Sequence, residues 1–175
     1  MDPSELERFE AVVLPHLDAA YGLARYLMRD ETDAEDVVQE ALLRALRYFG
    51  SFRGEGAAQG RSWALAIVRN TAHTWHRRRR TDASSLEFDE AVHSEAAGDP
   101  AGSELARREA HETLAQVLDR LPRDLREVIV LREIEGLSYK EIGEVVDVPI
   151  GTVMSRLSRA RKRLQVALTA LARER

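Results

Sequence analysis

The chain has 175 residues, with 30 acidic and 26 basic side chains, a net charge of −4 and no cysteine. This length suits one domain or two small ones, and a hydrophobic content of 44% is enough for a buried core. The lack of cysteine excludes disulfides, thiolate zinc sites and cysteine nucleophiles. There is no apolar run long enough for a membrane helix, and the acidic start is not typical of a signal peptide, so we expect a cytoplasmic protein.

The charges are segregated along the chain. Residues 1–60 have a net charge of −6 and residues 81–104 a net charge of −7, whereas residues 61–80 carry six basic side chains and no acidic one. Residues 150–163 carry five more basic side chains and no acidic one. Concentrated basic stretches favour contacts with nucleic acid, so the acidic total does not exclude a nucleic-acid partner.

The hydrophobic period is helical nearly everywhere, which predicts an all-α fold of two small helical domains joined by a flexible acidic linker. The first 80 residues contain three amphipathic patterns and one glycine-rich segment. In chain order we predict a helix over 17–28, a helix near 33–48 opened by a capping box at Thr32 and Glu35, a glycine-rich loop over 50–60, and a helix from Trp63 to Arg80.

Residues 81–104 show no sustained period, are acidic and contain glycine and proline, which predicts an interdomain linker. Two interpretations stay open for it. It is either a solvated tether or an acidic segment that mimics nucleic acid.

The hydrophobic pattern and capping signals of residues 105–175 predict a second helical domain that ends in a helix–turn–helix. Its elements are a helix over 105–118, a helix from Leu121 to Gly136, a short helix opened by a capping box from Ser138 to Glu141, a turn over 147–149, and a long basic helix from Ile150 to Ala170. We expect Val153, Leu157 and Leu164 on the inner stripe of the last helix. Its outer face would then meet the major groove of DNA. The alternative is an ordinary surface helix with a solvated basic face.

Three stretches of this second part closely resemble region 4 of bacterial sigma factors, most of all in the small extracytoplasmic-function (ECF) group. They are Leu121 to Val128, Glu135 to Ile142, and Val148 to Arg161. The resemblance implies that this part reads the minus-thirty-five promoter element as duplex DNA. Met154 stands where relatives usually place Lys or Arg, which implies a different preferred sequence. The implied contact residues are Thr152, Met154, Ser155, Arg156, Ser158, Arg159 and Lys162.

The stretch from Asp33 to Ala41 resembles region 2 of the same family, in which this helix binds the clamp helices of the polymerase β′ subunit. The alternative is a solvated face with intrahelical ion pairs. The implied polymerase-binding residues are Asp36, Gln39, Glu40 and Arg44.

The stretches 51–54 and 61–70 also resemble region 2, in which the loop holds a flipped base of the minus-ten element and the helix contacts the non-template strand. Extruding a base requires a pocket and a positively charged track for the freed strand. Trp63 is interpreted as a core residue, and a solvated helix end is the alternative for the arginine run. Thr74 stands where relatives commonly have Asp. The implied minus-ten residues are Arg53, Arg61, Arg69, Asn70, His73, Arg77 and Arg78.

Two patterns that could indicate a dinucleotide-binding loop or a metal site are not supported by the residues around them. The glycines at 54, 56 and 60 have the wrong spacing for a dinucleotide loop. His73 and His76 lack a cysteine or a nearby carboxylate to complete a metal site. We therefore predict no catalytic residue, no metal and no cofactor.

The resemblance assigns 1–80 to region 2, 81–104 to the linker and 105–175 to region 4. It implies an alternative sigma factor that binds core RNA polymerase, through the β′ clamp helices and the β subunit, and directs initiation at specific promoters. It also implies control by an anti-sigma factor and no membrane contact. Two other hypotheses remain open. A decoy that titrates an anti-sigma factor would not need the basic helices, and a dimeric repressor would not need the polymerase-binding motif.

Overall fold

The computed structural model describes residues 2–83 and 102–173, and the regular structure in these ranges is helical throughout, as predicted. Most of the predicted linker, residues 84–101, lies outside the described residues. No described helix is long and apolar enough to cross a membrane. The helices are α1 (Pro3–Val13), α2 (Leu17–Leu27), α3 (Glu31–Tyr48), α4 (Gly56–Ala83), α5 (Gly102–Asp119), α6 (Arg123–Ile129), α7 (Tyr139–Val146) and α8 (Ile150–Arg173).

The start of α3 corrects one prediction. Asp30 is the N-cap, and its carboxylate accepts a hydrogen bond from the backbone N–H of Asp33 at 3.0 Å. The predicted capping box at Thr32 and Glu35 is wrong, because Thr32 already lies inside the first turn. Aspartate is as good an N-cap as threonine or better, and its charge also complements the helix dipole.

The start of α4 corrects a second prediction. The helix begins at Gly56 rather than at Trp63, so the predicted glycine-rich loop over 50–60 is too long. Gly60 lies inside the helix, where an added Cβ would sit 2.9 Å from the backbone oxygen of Val12. This glycine therefore allows α1, which the sequence interpretation missed, to approach α4 closely.

The N-terminal half, α1 to α4, has two apolar clusters. The larger joins α2, α3 and α4 through faces rich in alanine, which allow close approach of the helix axes. The smaller is aromatic: the rings of Phe52 and Trp63 lie 4.9 Å apart, and Phe49 stacks on Phe52. Trp63 is partly buried and packs against this cluster, so its interpretation as a core residue holds in part. The buried apolar residues that these three helices contribute to the larger cluster are Ala20, Leu23, Ala24, Leu27, Ala34, Val37, Ala41, Leu65, Val68 and Ala72.

The C-terminal half, α5 to α8, contains the predicted helix–turn–helix. Ser138 and Glu141 form the predicted capping box at the start of α7. The turn into α8 places Asp147 in the left-handed region, with φ of 55°. Gly143 allows the backbone oxygen of Val148 to approach, since an added Cβ would lie 2.9 Å from it. These features set the angle at which α8 leaves α7.

The inner stripe of α8 agrees in part with the prediction. Val153 and Leu157 are buried, while Leu164 is only half-buried. The helix predicted from Leu121 to Gly136 is α6 followed by a π-helical segment, Val130–Ile134.

Arg126 links α5 to α6. Its guanidinium is almost fully buried and donates to the backbone oxygens of Leu118, Asp119 and Leu121 at 2.8 to 3.2 Å. Carbonyl groups at a helix C-terminus lack intrahelical partners, so one arginine satisfies the end of α5 and fixes the next helix.

The two halves pack on each other. A continuous apolar cluster contains Leu27, Leu65 and Ala72 of the N-terminal half together with Leu125 and Val128 of the C-terminal half. Helices α2 and α4 provide one side of this contact and α6 and α7 the other. The face of α4 that bears Arg61, Arg69 and His73 therefore lies beside the C-terminal half.

Candidate nucleic-acid interface

A basic stripe on α4 faces the C-terminal half. Arg61, Arg69 and His73 are separated by eight and four residues, so they lie along one side of the helix. Each of them is at least partly buried and bonded to a carboxylate from the other half. We call these three residues together with the neighbouring Asn70 the strand face of α4.

Glu127 of α6 is the centre of this contact. Its side chain is 1% exposed, and one carboxylate oxygen accepts from Arg69 at 2.9 Å while the other bonds to His73. Burial favours the protonated form of Glu127, but His73 and Arg69 outweigh it and hold the pKa of this carboxyl below its usual range. Glu127 is therefore a buried carboxylate whose charge is compensated entirely by the strand face.

Glu141 of α7 makes a second contact with the strand face. One carboxylate oxygen accepts from Arg61 at 2.7 Å, and the other accepts the backbone N–H of Ser138 in the capping box. Burial raises the pKa of Glu141, but its bonds to Arg61 and Ser138 outweigh burial and lower it. The residue that starts the helix–turn–helix thus also binds α4.

The other predicted minus-ten residues are more open. Arg53 donates to the backbone oxygen of Gly50 at 2.5 Å, and Asn70 accepts from Arg69 at 3.3 Å. Arg77 is exposed, and Arg78 lies 3.7 Å from Glu40 of α3. The structure therefore separates the seven predicted residues into three that face the C-terminal half and four that face solvent or α3.

His73 and His76 do not converge. His73 bonds to Glu127, whereas His76 donates to the backbone oxygen of Leu27 at 2.9 Å. Within residues 2–83 and 102–173, no group of three or more His, Asp or Glu side chains is placed to hold a metal ion.

The four predicted polymerase-binding residues of α3 differ in their exposure to solvent. Asp36 and Gln39 are exposed, while Glu40 and Arg44 are half-buried and form the ion pair that was the alternative interpretation. The sequence interpretation missed Leu43, which is 67% exposed one turn from Gln39. Single exposed apolar side chains are common on protein surfaces, and this one lies beside the polar residues predicted to bind polymerase. The sequence feature that could have indicated Leu43 is its position outside the buried apolar face of α3.

The outer face of α8 is open to solvent. We call its residues Thr152, Met154, Ser155, Ser158, Arg159 and Lys162 the duplex face. Met154 is 53% exposed, and Ser155, Ser158, Arg159 and Lys162 are also exposed. Within the described part of the chain, Arg159 and Lys162 form no ion pair.

Two other basic residues of α8 have partners inside the C-terminal half. Arg156, a predicted contact residue, is half-buried and lies 3.8 Å from Asp124 of α6. Arg161 pairs with Glu133 at 2.7 Å. These pairs hold the orientation of α8 on α6 and on the π-helical segment that follows it.

Two family models match the chain, one in each half. The model described as "Sigma-70 region 2" matches residues 12–81, and the one described as "Sigma-70, region 4" matches residues 111–164.

Curated relatives extend the match to nearly the whole chain. The RNA polymerase sigma-H factor of Pseudomonas aeruginosa is 38% identical over 173 residues, which is 95% of this chain and 89% of that protein. The ECF RNA polymerase sigma-E factor of Escherichia coli K12 is 38% identical over 149 residues, covering 81% of this chain and 76% of that protein.

Solved structures of similar proteins include two complexes. The sigma factor RpoE of Bartonella quintana, in complex with the anti-sigma factor NepR, has a TM-score of 0.73 and 30% identity, covering 93% of this chain and 98% of that one. CnrH, in complex with the cytosolic domain of CnrY, has a TM-score of 0.66 and 29% identity, covering 94% and 90%.

Proposed function

The chain belongs to the sigma-70 family, in its ECF group, and from this premise we propose that it is an alternative sigma factor that binds core RNA polymerase and directs initiation at specific promoters. The observation that carries the proposal is the presence of both sigma regions, in order, in a chain similar over 95% of its length to a sigma factor. Phosphodiester chemistry belongs to the polymerase, and this chain supplies recognition.

The duplex face of α8 is proposed to read the minus-thirty-five element. A helix that follows a capped helix and a tight turn can place its first turns in the major groove. The exposed side chains of Ser155, Ser158 and Arg159 supply hydrogen-bonding groups for base edges, and Lys162 supplies charge for phosphate. Met154 offers an apolar contact where a basic residue would be usual.

The strand face of α4, with Arg53, Arg77 and Arg78, is proposed to hold the unpaired minus-ten strand. Guanidinium groups along one helix provide a positive track for phosphates, and the Asn70 side chain can hydrogen-bond a base edge. The minus-ten function requires this face to leave its contacts with Glu127 and Glu141.

The outer face of α3 is proposed to bind the β′ clamp helices of core polymerase. Asp36 and Gln39 would supply polar contacts and Leu43 an apolar anchor, while Glu40 and Arg44 contribute from the margin. Interfaces of this kind derive most of their affinity from a few apolar or well-paired side chains.

Control by an anti-sigma factor is part of the same proposal. RpoE of Bartonella quintana was solved with the anti-sigma factor NepR, and the sigma-factor chain of that complex resembles this chain over 93% of its length. We propose a protein partner of this class, which holds the chain away from core polymerase.

The proposal is tested by transcription in vitro with purified core polymerase and a promoter library. We expect the full chain to bind core and to select a promoter with two separated elements. Asp36→Ala should weaken core binding and leave minus-thirty-five duplex binding unchanged. Glu35→Ala, an equal change of charge at the adjacent exposed position, is the matched control.

Failure of the full chain to bind core polymerase would reject the proposal. Binding of core without promoter selection would instead favour a decoy role. Equal losses of core affinity in the Asp36 and Glu35 variants would show that α3 contributes only a general negative charge.

A further inference from the structure

A short loop, residues 52–55, connects the 3₁₀ turn after α3 to the start of α4. Its residues lie in no helix, and one of them is Arg53, an exposed residue that the proposed function assigns to the minus-ten strand. A loop without regular structure of its own takes its path from the groups that bind it. The partners of this loop therefore decide how Arg53 and its neighbours are presented to DNA.

Arg8 of α1 binds the loop through both a ring and the backbone. Its Nη2 donates a hydrogen bond to the backbone oxygen of Phe52 at 3.3 Å, and its guanidinium carbon lies 5.9 Å from the centre of the Phe52 ring. The same carbon lies 5.3 Å from the centre of the Phe49 ring. A planar guanidinium can stack on aromatic rings and donate hydrogen bonds from its edge at the same time. One side chain of α1 thus holds Phe52 in place.

The Phe52 ring in turn limits the path of the next residues. It lies 4.9 Å from the centre of the Trp63 ring of α4, and a Cβ added at Gly54 would collide with it. Only glycine at position 54 therefore allows the loop to fold over this ring. Since Arg53 lies between the held Phe52 and the covered Gly54, the backbone of Arg53 is fixed on both sides.

We propose that Arg8 is a positioning residue of the minus-ten interface. It holds residues 52–55 in the path that receives the extruded base, so that α1 takes part in promoter recognition without contacting DNA. The inference rests on the proposed function and adds to it a residue and a helix that the sequence interpretation left out.

The docking of α1 on the N-terminal half does not depend on Arg8. Phe9 packs edge-on against Phe49 with ring centres 5.3 Å apart, and both Phe9 and Val13 are buried. Arg8 is exposed. Its replacement therefore leaves the apolar contacts of α1 intact and removes only the contacts with the two rings and with the loop backbone.

The first test measures the loop in the free chain by hydrogen exchange and mass spectrometry. Arg8→Gln should make exchange in a peptide that covers residues 52–55 about threefold faster, because the contacts that hold the loop closed are lost. Arg25→Gln is the matched control, since Arg25 is also an exposed arginine, 6.0 Å from the Tyr21 ring of α2. It should leave exchange in residues 52–55 unchanged. Circular dichroism checks that both variants keep the helical content of the wild-type chain.

The second test measures base discrimination by the holoenzyme. The promoter selected in the library is prepared with its minus-ten element unpaired by mismatches, and each unpaired non-template base is replaced in turn. Replacement of a recognised base should lower the affinity of the wild-type holoenzyme about tenfold or more. Arg8→Gln should reduce this ratio about threefold at the position of the extruded base and leave the other ratios unchanged. Arg8→Lys, which keeps the charge without the planar group, should behave like Arg8→Gln.

Unchanged exchange in residues 52–55 of Arg8→Gln would overturn the inference, and so would equal base discrimination by the variant and wild-type holoenzymes. A uniform loss of affinity at every position, with a smaller salt dependence and rescue by Arg8→Lys, would also overturn it, because Arg8 would then contact a phosphate directly. Failure of the wild-type holoenzyme to initiate would instead reject the proposed function. The exchange experiment does not depend on that result.

Discussion

The strand face of α4 and the duplex face of α8 are both basic helical surfaces proposed to bind DNA, but they differ in their partners within the fold. Arg61, Arg69 and His73 are bonded to carboxylates of the other half, whereas Arg159 and Lys162 project from the surface. A basic residue in a DNA-binding sequence is thus no guarantee of an available contact. A basic side chain is available to DNA only where no neighbouring helix places a carboxylate within bonding distance of it.

The difference also gives each basic residue a distinct second role. Three residues of the strand face bind carboxylates of the C-terminal half and are also proposed to contact DNA, so a substitution at any of them should have two effects. Arg159 and Lys162 of the duplex face form no ion pair in the described part of the chain, so the proposed DNA contact is their main role. Four expected outcomes follow from this contrast, in order of decreasing size.

Arg69→Met should have the largest effect on stability. It leaves Glu127 buried with only His73 for compensation, and loss of one partner of a buried ion pair costs about 3 kcal/mol in the free energy of unfolding. Urea denaturation of the full chain measures it. Arg44→Met removes the i,i+4 pair with Glu40 and should cost about 0.5 kcal/mol. Equal costs for the two variants would contradict the special role of the interdomain pair.

Arg159→Ala should have the largest effect on recognition and almost none on stability. Loss of a base contact costs about 1–3 kcal/mol in affinity for the minus-thirty-five duplex, while an exposed substitution changes the free energy of unfolding by less than about 0.5 kcal/mol. Duplex binding by anisotropy and urea denaturation give the two values. Arg163→Ala, at an exposed position near the middle of α8, should weaken specific and scrambled duplexes alike. A large loss of stability in Arg159→Ala would remove the contrast between the two faces.

Met154→Lys should restore a charge that relatives usually carry. One additional phosphate contact makes the dependence of log affinity on log salt steeper by about 1. The measurement is a salt titration of duplex binding. Val166→Lys adds the same charge at an exposed position three turns further along α8 and should leave the slope unchanged. Identical slopes for the two variants would show that Met154 does not face the DNA.

The smallest effect concerns pH. Burial lowers the pKa of His76 below the ordinary value of 6.5, aided by the positive charges of Arg123, His73 and Arg126, while its hydrogen bond to Leu27 acts in the opposite direction. The folded chain therefore prefers neutral His76, and stability is lost as the pH falls below 6.5 toward the folded pKa.

Urea denaturation between pH 7 and pH 5 checks this prediction. His76→Gln should reduce the slope of stability against pH, and the addition of His16→Gln should reduce it further, since burial and Arg61 lower the pKa of His16 as well. An unchanged slope in the double variant would assign the pH dependence to other groups.

Much of the fold could be predicted from the sequence, because helical periods and caps are local signals. The capping box at Ser138 and Glu141, the turn before Ile150 and the buried Val153 and Leu157 all arise from residues within a few positions of each other. The errors at the starts of α3 and α4 have local causes too. Asp30 was the better cap, and the glycine at position 60 serves a close helix contact rather than a loop.

The pairing between the halves could not be predicted in this way. Glu127 lies 58 residues from Arg69 and 54 from His73, with the acidic segment between them, and no local pattern joins such positions. One signal was present: a glutamate between Arg126 and Val128 inside an apolar run must be buried by the helical period. A buried carboxylate requires a basic partner, and α4 had the concentrated basic stretch to supply it.

The most direct test of the account is the distance between the halves with and without core polymerase. Glu7→Cys on α1 and Glu144→Cys on α7 are exposed positions outside all the proposed contacts, and they give the chain its only two labelling sites for single-molecule energy transfer. We predict one short distance in the free chain and a longer one in the holoenzyme. The same distance in both states, or a long distance in the free chain, would contradict the account.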